Sequence, residues 1–468
     1  MKHHDSGFSL LKSALKWGEL LFYTKGRHVS LNATIQQLND IIWSWPGIIL
    51  LLGATLFCTI AFRFVQLRAF IRMWKETLFP TSVQEHTGDI SPMQAFVNAL
   101  SSSLGNGAIA GIAVAIYTGG PGAALWVLIL GMGLMAVRFA EVYLSIAYGA
   151  DKSKTVLLGG PMVYLKQVFG GQHLAYVYGL SCFIFGLIGG NAAQANSISL
   201  SFATTWGVPV MVAALVLFAF VGYVVLGGAK RIAQISDIIV PIKVIVFFTA
   251  TGLVLVYHAG ALADALRLIV LSGLSSEALA GGIVGFSLQQ ALRSGLLGVA
   301  FATEAGLGSS AILFGSSGSN DAVRSSLMAM LSTFISVLAA FIVALCIVVS
   351  GVWQSGSTST ALTIAAFNTV FGSFGGWIVS FLSVVFGIGV LVSYAYITRS
   401  AWLYLTNGRY EKAFVVMYCV TSFLGALVKV DIVWNSINVV MAVMLFINLF
   451  GIVCLTPRIA RDLRKLNV

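Results

Sequence analysis

The chain has 468 residues, of which 58% are hydrophobic and only 9% are charged, and its formal net charge is +11. A typical soluble domain carries about 25% charged residues, so this composition excludes a water-soluble fold for a chain of this size. In a bilayer the lipid solvates the outer face of every helix. An all-α polytopic membrane protein is therefore predicted.

The first 42 residues are predicted to form a tail that precedes the transmembrane domain. The segment Phe8–Phe22 is amphipathic, because apolar residues are interleaved with lysines and a glutamate, and this pattern favours a helix in the membrane interface. A disordered tail is the alternative. The transmembrane domain is predicted over residues 43–456, and a basic cytoplasmic tail over residues 457–468.

Apolar runs recur along the whole transmembrane domain. A spanning helix needs about 20 mostly apolar residues. About eleven such spans are predicted, starting near residues 46, 95, 122, 175, 208, 236, 272, 323, 371, 411 and 432. Basic residues concentrate after the odd-numbered spans, so the positive-inside rule places those loops in the cytoplasm. The N-terminus is then outside and the C-terminus inside a multi-pass protein of the cytoplasmic (inner) membrane.

The positive-inside rule also accounts for the net charge of +11, so the charge does not indicate nucleic acid as a partner. Intramembrane proteases need paired aspartates, a Ser–His pair or an HExxH motif. The spans contain no carboxylate pair and the six histidines lie in tails or loops, so no enzymatic activity is expected. No cofactor, no metal site and no obligatory protein partner is expected either. A channel is poorly separated from a transporter by these features.

Two glycine clusters are denser than helix packing alone requires. They are Leu104–Gly111 in the second span and Gly281–Gly285 in the seventh. Glycine-broken helices near the bilayer midplane free backbone N–H and C=O groups, which can hold a carboxylate and a cation. A separation of five spans fits two inverted five-helix repeats after one extra N-terminal span, with ordinary close packing as the alternative. This pattern predicts a transporter with a midplane site and names no substrate.

Six short motifs stand in the order found in the alanine/glycine:cation symporter family, also called sodium:alanine symporters. They are Gly119–Ala123 (GGPGA), Arg138–Glu141 (RFAE), Gly159–Tyr164 (GGPMVY), Gln194–Ser197 (QANS), Gly227–Ile232 (GGAKRI) and Glu304–Ser309 (EAGLGS). The chain resembles this family over roughly residues 46–455. The resemblance implies a LeuT-type fold with an inverted repeat of 5+5 helices on spans two to eleven. It also implies symport of glycine or alanine with sodium.

The resemblance further implies a substrate site. The family's GTGN cradle falls on Gly105–Ala108, where the backbone amides of Asn106 and Gly107 would take the substrate carboxylate. Gln194 is implied as a polar partner of the substrate. The implied walls of the side-chain pocket, which leave space for hydrogen or methyl, are Gly281, Gly282 and Phe286. The expected partners are therefore a small amino acid and the lipid bilayer.

The chain departs from the family pattern where the family binds sodium. The usual ninth-span stretch FAFST is Phe386–Val390 (FGIGV), so a Ser/Thr pair becomes Gly389 and Val390. Sodium is a hard cation that needs oxygen ligands, which these two side chains lack. Further departures are Ala108 for the cradle's asparagine, Ser336 for an aspartate and Tyr394 for a tryptophan.

A lysine also stands in the sixth span, where the family stretch resembling VPFM reads Val240–Lys243 (VPIK). A lysine in a helix centre costs about 2.5–3.5 kcal/mol on insertion scales and needs a partner or a water-filled cavity. One hypothesis puts its ammonium in the vacated cation position, near Gly105 and Gly389, where a proton would replace sodium in coupling. The alternative is that Lys243 reaches along its helix to the cytoplasmic surface. The coupling ion is Na⁺ or H⁺.

Two other pairs of charges fall within or near the spans. Arg293, taken to lie on the second half of the seventh span, and Glu304 are predicted to serve a cytoplasmic gate. Arg138 and Glu141, at i and i+3, are predicted to form an ion pair at a helix end. The serines between residues 309 and 319 are predicted to form a packed cytoplasmic turn.

Overall fold

The computed structural model describes residues 21–24, 27–79, 87–149, 159–274, 288–428 and 430–465. Over these residues the fold is helical apart from one antiparallel hairpin, made of β1 (Leu21–Thr24) and β2 (Arg27–Ser30). Strand β1 takes up the last two residues of the segment predicted as an interfacial helix. The remainder of that segment lies outside the described residues.

Twenty α-helices follow among the described residues. The first eight are α1 (Leu31–Ile42), α2 (Trp45–Ala61), α3 (Val65–Arg68), α4 (Phe70–Leu78), α5 (Pro92–Ser103), α6 (Ala110–Gly119), α7 (Gly122–Ala147) and α8 (Pro161–Tyr164). The next six are α9 (Gly171–Leu187), α10 (Ala193–Trp206), α11 (Val210–Leu226), α12 (Gly228–Tyr257), α13 (Leu262–Leu274) and α14 (Leu288–Thr303). The last six are α15 (Ser309–Gly315), α16 (Ala322–Val349), α17 (Ser359–Phe371), α18 (Phe374–Leu405), α19 (Glu411–Leu427) and α20 (Val430–Lys465).

Seven helical segments in the described part of the chain are long and apolar enough to cross a membrane, and the bent pair α5–α6 makes eight if it counts as one span. Helices α11 and α17 are shorter but also apolar. The prediction of a polytopic α-helical membrane protein is confirmed. The count of eleven spans stays a prediction.

The second span is broken at the predicted glycine cluster. Helix α5 begins at a capping box formed by Ser91 and Gln94, in which each side chain bonds the other residue's backbone N–H. It ends at Ser103, and a 3₁₀ turn over Asn106–Ala108 leads into α6 at an angle of 47°. The break therefore leaves the carbonyl end of one half-helix and the amino end of the other facing the protein interior.

A second break lies between α14 and α15. Glu304, Gly306 and Gly308 have φ angles of 55°, 93° and 82°, which are left-handed values that stop an α-helix. The predicted break at Gly281–Gly285 lies outside the described residues. The break over residues 304–308 was not predicted, although it falls in a stretch that carries the family resemblance.

Helices α2, α7 and α16 form a closely packed scaffold beside the two breaks. A Cβ atom on Gly131 of α7 would lie 2.4 Å from Val337 of α16, and one on Gly133 would lie 2.4 Å from Thr55 of α2. Small residues at such contacts let membrane helices approach closely and gain van der Waals packing. The scaffold thereby fixes the position of α7, whose side chains bond the residues on both sides of the second break.

Candidate substrate and cation site

A cavity of about 460 Å³, including its mouth, lies between the two breaks. Its walls include Gly105, Asn106 and Gly107 from the first break, Phe301, Glu304 and Leu307 from the second, and Gln194, Val390 and Tyr394. The fold therefore brings together four residues of the predicted site, namely Gly105, Asn106, Gly107 and Gln194. The others assigned to the pocket wall, Gly281, Gly282 and Phe286, lie outside the described residues.

Backbone amides at the first break are available to a ligand. In the described part of the chain, the N–H groups of Asn106 and Gly107 donate to no backbone carbonyl. They stand at the amino end of α6, where the partial positive charge of a helix favours an anion. This arrangement can hold a carboxylate.

The side chains of Asn106 and Gln194 are fixed by hydrogen bonds. Asn106 Nδ2 donates to Gln194 Oε1 at 3.3 Å, and Ser383 Oγ donates to Asn106 Oδ1 at 2.9 Å. Gln194 Nε2 donates to the carbonyl of Gly189 at 3.1 Å. Gly189 belongs to a π-helical turn over Ile188–Ala192 that separates α9 from α10, and such turns are frequent at functional sites. The π turn thus sets the orientation of Gln194 in the cavity wall.

Lys243 lies at the end of α5. Its side chain is fully buried, and its Nζ donates to the carbonyl oxygens of Ser101 at 2.8 Å and Leu104 at 2.9 Å. These carbonyls belong to the last turn of a helix and need partners from outside it. The alternative, in which Lys243 reaches the cytoplasmic surface, is therefore wrong.

Helix α18 leaves space for the lysine at the position where the family has a hydroxyl. A Cβ atom on Gly389 would lie 2.9 Å from Lys243 Nζ, and the carbonyl of Gly389 accepts a hydrogen bond from Ser101 Oγ at 3.0 Å. The ammonium also lies 5.5 Å from the centre of the Phe386 ring, within range of a cation–π interaction. Nζ therefore occupies a small cage made by α5, α12 and α18.

Glu304 is a second buried charge, and it lines the cavity. Its residue is 7% exposed, Tyr394 donates its hydroxyl to Oε1 at 2.7 Å, and Ser309 donates to Oε2 at 2.9 Å. Ser309 was predicted only as part of a packed turn, and in the structure its hydroxyl also binds Glu304. Sequence reasoning did not assign Glu304 or Tyr394 to the cavity.

The predicted pairing of Arg293 with Glu304 is wrong. Arg293 lies on α14, before the break over residues 304–308, and its guanidinium bonds Asp40 Oδ1 of α1 at 2.8 Å. Its side chain is 34% exposed. Helix α14 places Arg293 ten residues before its end at Thr303, so the arginine and Glu304 belong to different parts of the molecule.

The predicted ion pair of Arg138 and Glu141 exists, but it is not at a helix end. Both side chains are at most 1% exposed inside α7, and the charged atoms lie 3.2 Å apart. Arg138 also donates to the carbonyl of Thr303 at 2.6 Å, and Glu141 accepts from the amide of Gly308 at 3.0 Å. The pair therefore holds the two sides of the second break.

A match to the sodium:alanine symporter family extends over residues 28–467. The chain belongs to this family. An uncharacterized transporter of Haemophilus influenzae is 30% identical over 93% of this chain and 96% of its own length. The sodium/alanine symporter AgcS of Methanococcus maripaludis is 27% identical over 92% of this chain and 96% of its own. The probable sodium/glutamine symporter GlnT of Bacillus subtilis is 29% identical over 89% of this chain and 87% of its own length.

This family consists of transporters, so the chain is a multi-pass membrane transporter and not an enzyme. The resemblance found in the motifs is confirmed. The relatives named for alanine and for glutamine carry amino acids of different size, so membership in the family leaves the size of the substrate open.

In this transporter the first break touches the last turn of α14 at Gly107, which predicts a mutational effect. A Cβ atom on Gly107 would lie 2.8 Å from the carbonyl oxygen of Phe301, a backbone atom that cannot rotate away. We expect Gly107→Ala to push these segments apart at a cost of about 1–3 kcal/mol and to lower uptake on the order of 10-fold or more. Gly111→Ala is the matched control, because its Cβ would meet Phe301 at an ordinary 3.8 Å. Equal uptake by the two variants in proteoliposomes would contradict this account.

Proposed function

We propose that this transporter carries small amino acids, alanine and glycine, across the cytoplasmic membrane by alternating access, and that a proton rather than sodium is the coupling ion. The observation that carries the proposal is the position of Lys243 Nζ, 2.8 Å and 2.9 Å from two carbonyls at the first break. An ammonium that binds these carbonyls takes contacts that a sodium ion would need. Gly389 and Val390 offer no hydroxyl groups to bind sodium beside it.

The walls of the cavity support the proposed substrate class. Free backbone amides at Asn106 and Gly107 suit a carboxylate. Among the described residues, the walls around the remaining space include Phe301 and Tyr394, two aromatic side chains, together with Val390. Large side chains in the cavity wall suit a ligand with a small side chain, which supports alanine and glycine over glutamine.

The proposed fold is a LeuT-type inverted repeat after one extra span. The first repeat would comprise the pair α5–α6, then α7, α9–α10, α11 and α12. The second would comprise the pair α14–α15, then α16, α18, α19 and α20. Each repeat would then begin with a broken helix, which supports this division. Helix α2 would be the extra span, with the N-terminus outside and the C-terminus in the cytoplasm, and eleven spans result.

Purified transporter in proteoliposomes tests the proposal with labelled alanine and glycine, under sodium and proton gradients imposed separately. We expect uptake in the complete absence of sodium, no stimulation by an inward sodium gradient, and stimulation by an inward proton gradient. Counterflow of labelled alanine against unlabelled alanine should also occur, because exchange requires alternating access. Uptake that requires sodium would support a relocated ion site instead, which the name of the relative AgcS favours. Equilibration without counterflow would indicate a pore.

A further inference from the structure

In the described part of the chain, the carboxylate of Glu304 forms no ion pair with a basic side chain. The ion pairs among the described residues involve Glu76, Glu141, Asp40 and Glu411, and none of them involves Glu304. The nearby buried guanidinium of Arg138 binds Glu141 and the carbonyl of Thr303 instead. A buried carboxylate is strongly disfavoured without a compensating cation or enough hydrogen bonds.

Glu304 retains hydrogen-bonding capacity toward the cavity. An ionised carboxylate has about four acceptor sites. Tyr394 and Ser309 each use one, on different oxygens, and the Ser102 hydroxyl is a third neighbouring donor. The residue is 7% exposed, and it forms part of the cavity wall. A cationic group inside the cavity can therefore reach acceptor sites that the protein leaves open.

Glu304 has a left-handed backbone conformation, which costs conformational free energy. Its φ angle of 55° is uncommon for a residue other than glycine. Such conformations persist where the surrounding structure imposes them, and they cluster at ligand sites. Here Arg138 and Glu141 hold the residues on both sides of the turn, Thr303 and Gly308. The fold therefore fixes a carboxylate at the second break, across the cavity from the amides of the first.

We infer that Glu304 binds the α-ammonium group of the amino-acid substrate, an inference that rests on the proposed function. The substrate carboxylate would lie at the amides of Asn106 and Gly107 and its ammonium at Glu304, so each break holds one end of the zwitterion. The charges of the protein complement those of the zwitterion. The basic Lys243 lies beside the first break, which would hold the carboxylate, and the acidic Glu304 lies at the second, which would hold the ammonium. Tyr394 and Ser309 are positioning residues, which act on the substrate through Glu304.

A comparison of two ligands tests this role. Propionate has the carbon skeleton and the carboxylate of alanine but lacks its ammonium group. We expect the wild-type transporter in lipid nanodiscs to bind alanine at least 10-fold more tightly than propionate in isothermal titration calorimetry. Glu304→Gln should weaken alanine binding about 10–100-fold, the range for a hydrogen bond to a charged group, and leave propionate binding unchanged. The surface variant Glu411→Gln is the matched control and should bind both ligands as the wild type does.

Two further variants separate recognition from folding. Tyr394→Phe keeps the carboxylate and the ring but removes one donor, so alanine binding should weaken about 3–10-fold and propionate binding should not change. Tyr394→Trp, which returns the residue usual in the family, should restore alanine binding. The inference is overturned if the wild type binds propionate as tightly as alanine. It is equally overturned if Glu304→Gln or Tyr394→Phe weakens both ligands by the same factor.

The same measurements keep the inference apart from the proposed function. Tight, Glu304-dependent binding of alanine without counterflow in proteoliposomes would refute transport and uphold the ammonium site. Counterflow of alanine in Glu304→Gln with wild-type affinity would uphold transport and refute the ammonium site.

Discussion

Replacing Lys243 with methionine should lower alanine uptake on the order of 100-fold, whatever the sodium concentration. Methionine fills similar space but leaves the carbonyls of Ser101 and Leu104 without their donor, 2.8 Å and 2.9 Å away in the wild type. Two unsatisfied buried carbonyls cost about 3 kcal/mol. A barrier raised by that amount lowers the uptake rate on the order of 100-fold. Initial rates of labelled alanine uptake, measured from pH 5 to 8 in proteoliposomes, give the result. The stimulation by a proton gradient should disappear with the lysine.

The matched control is Lys230→Met, which removes an exposed lysine from the first turn of the same helix, α12. It should transport alanine as the wild type does. A stronger test combines Lys243→Met with Gly389→Ser and Val390→Thr, which returns the hydroxyl pair of the family. This triple variant should regain uptake and now require sodium, because the carbonyls and two hydroxyls offer oxygen ligands. Wild-type uptake with unchanged pH dependence in Lys243→Met would end the proposed role of the lysine.

Removing one partner of the buried pair in α7 should have the largest effect on stability. Arg138→Met leaves Glu141 charged and buried without its cation, which costs about 3–5 kcal/mol of unfolding free energy. It also releases the carbonyl of Thr303, so the second break should lose its geometry and transport should be lost. Denaturant unfolding of the purified protein in detergent measures the loss of stability.

The control for this prediction is Arg399→Met. It breaks an ion pair with Glu411 in which the two side chains are 17% and 51% exposed, and such pairs contribute about 0–1 kcal/mol. The double variant Arg138→Met, Glu141→Leu should be more stable than Arg138→Met alone, because it removes the uncompensated charge. Equal stability of Arg138→Met and Arg399→Met would contradict the role assigned to the pair.

The first break and the buried lysine were predictable because their causes are local. Gly105 and Gly107 stand two residues apart within an apolar run, and a helix with that composition is easily interrupted. Lys243 stands alone among apolar residues, where an unpaired ammonium is too costly to leave without partners. The family motifs then supplied Gln194, whose side chain does lie in the cavity wall.

The break over residues 304–308 was not predicted, because glycine density does not show where a helix must stop. The observed stop requires left-handed backbone at residues 304, 306 and 308, whereas the predicted break at Gly281–Gly285 lies outside the described residues. One of those residues is a glutamate, which no propensity scale favours in that conformation. Phe301 lines the cavity, and the expected wall residue Phe286 lies outside the described residues.

The distant contacts of Arg138 and Arg293 could not be predicted from the sequence for a different reason. The i, i+3 spacing correctly paired Arg138 with Glu141, yet the contact with the Thr303 carbonyl spans 165 residues. Arg293 finds Asp40 across 253 residues, between helices whose order in the chain does not reveal their contact. Such pairings depend on tertiary packing, and only the folded arrangement of α1, α7 and α14 determines them.

In the proposed mechanism, the lysine at the first break also limits the concentration of substrate that the carrier can accumulate. A dissolved sodium ion enters on one side and leaves on the other, and each passage draws free energy from its gradient. An ammonium attached to α12 returns with the protein after every cycle and draws nothing. Only the proton on its nitrogen can be exchanged between the two compartments. A cycle that keeps that proton in place can bring alanine to equal concentrations on both sides and no further, however steep the sodium gradient.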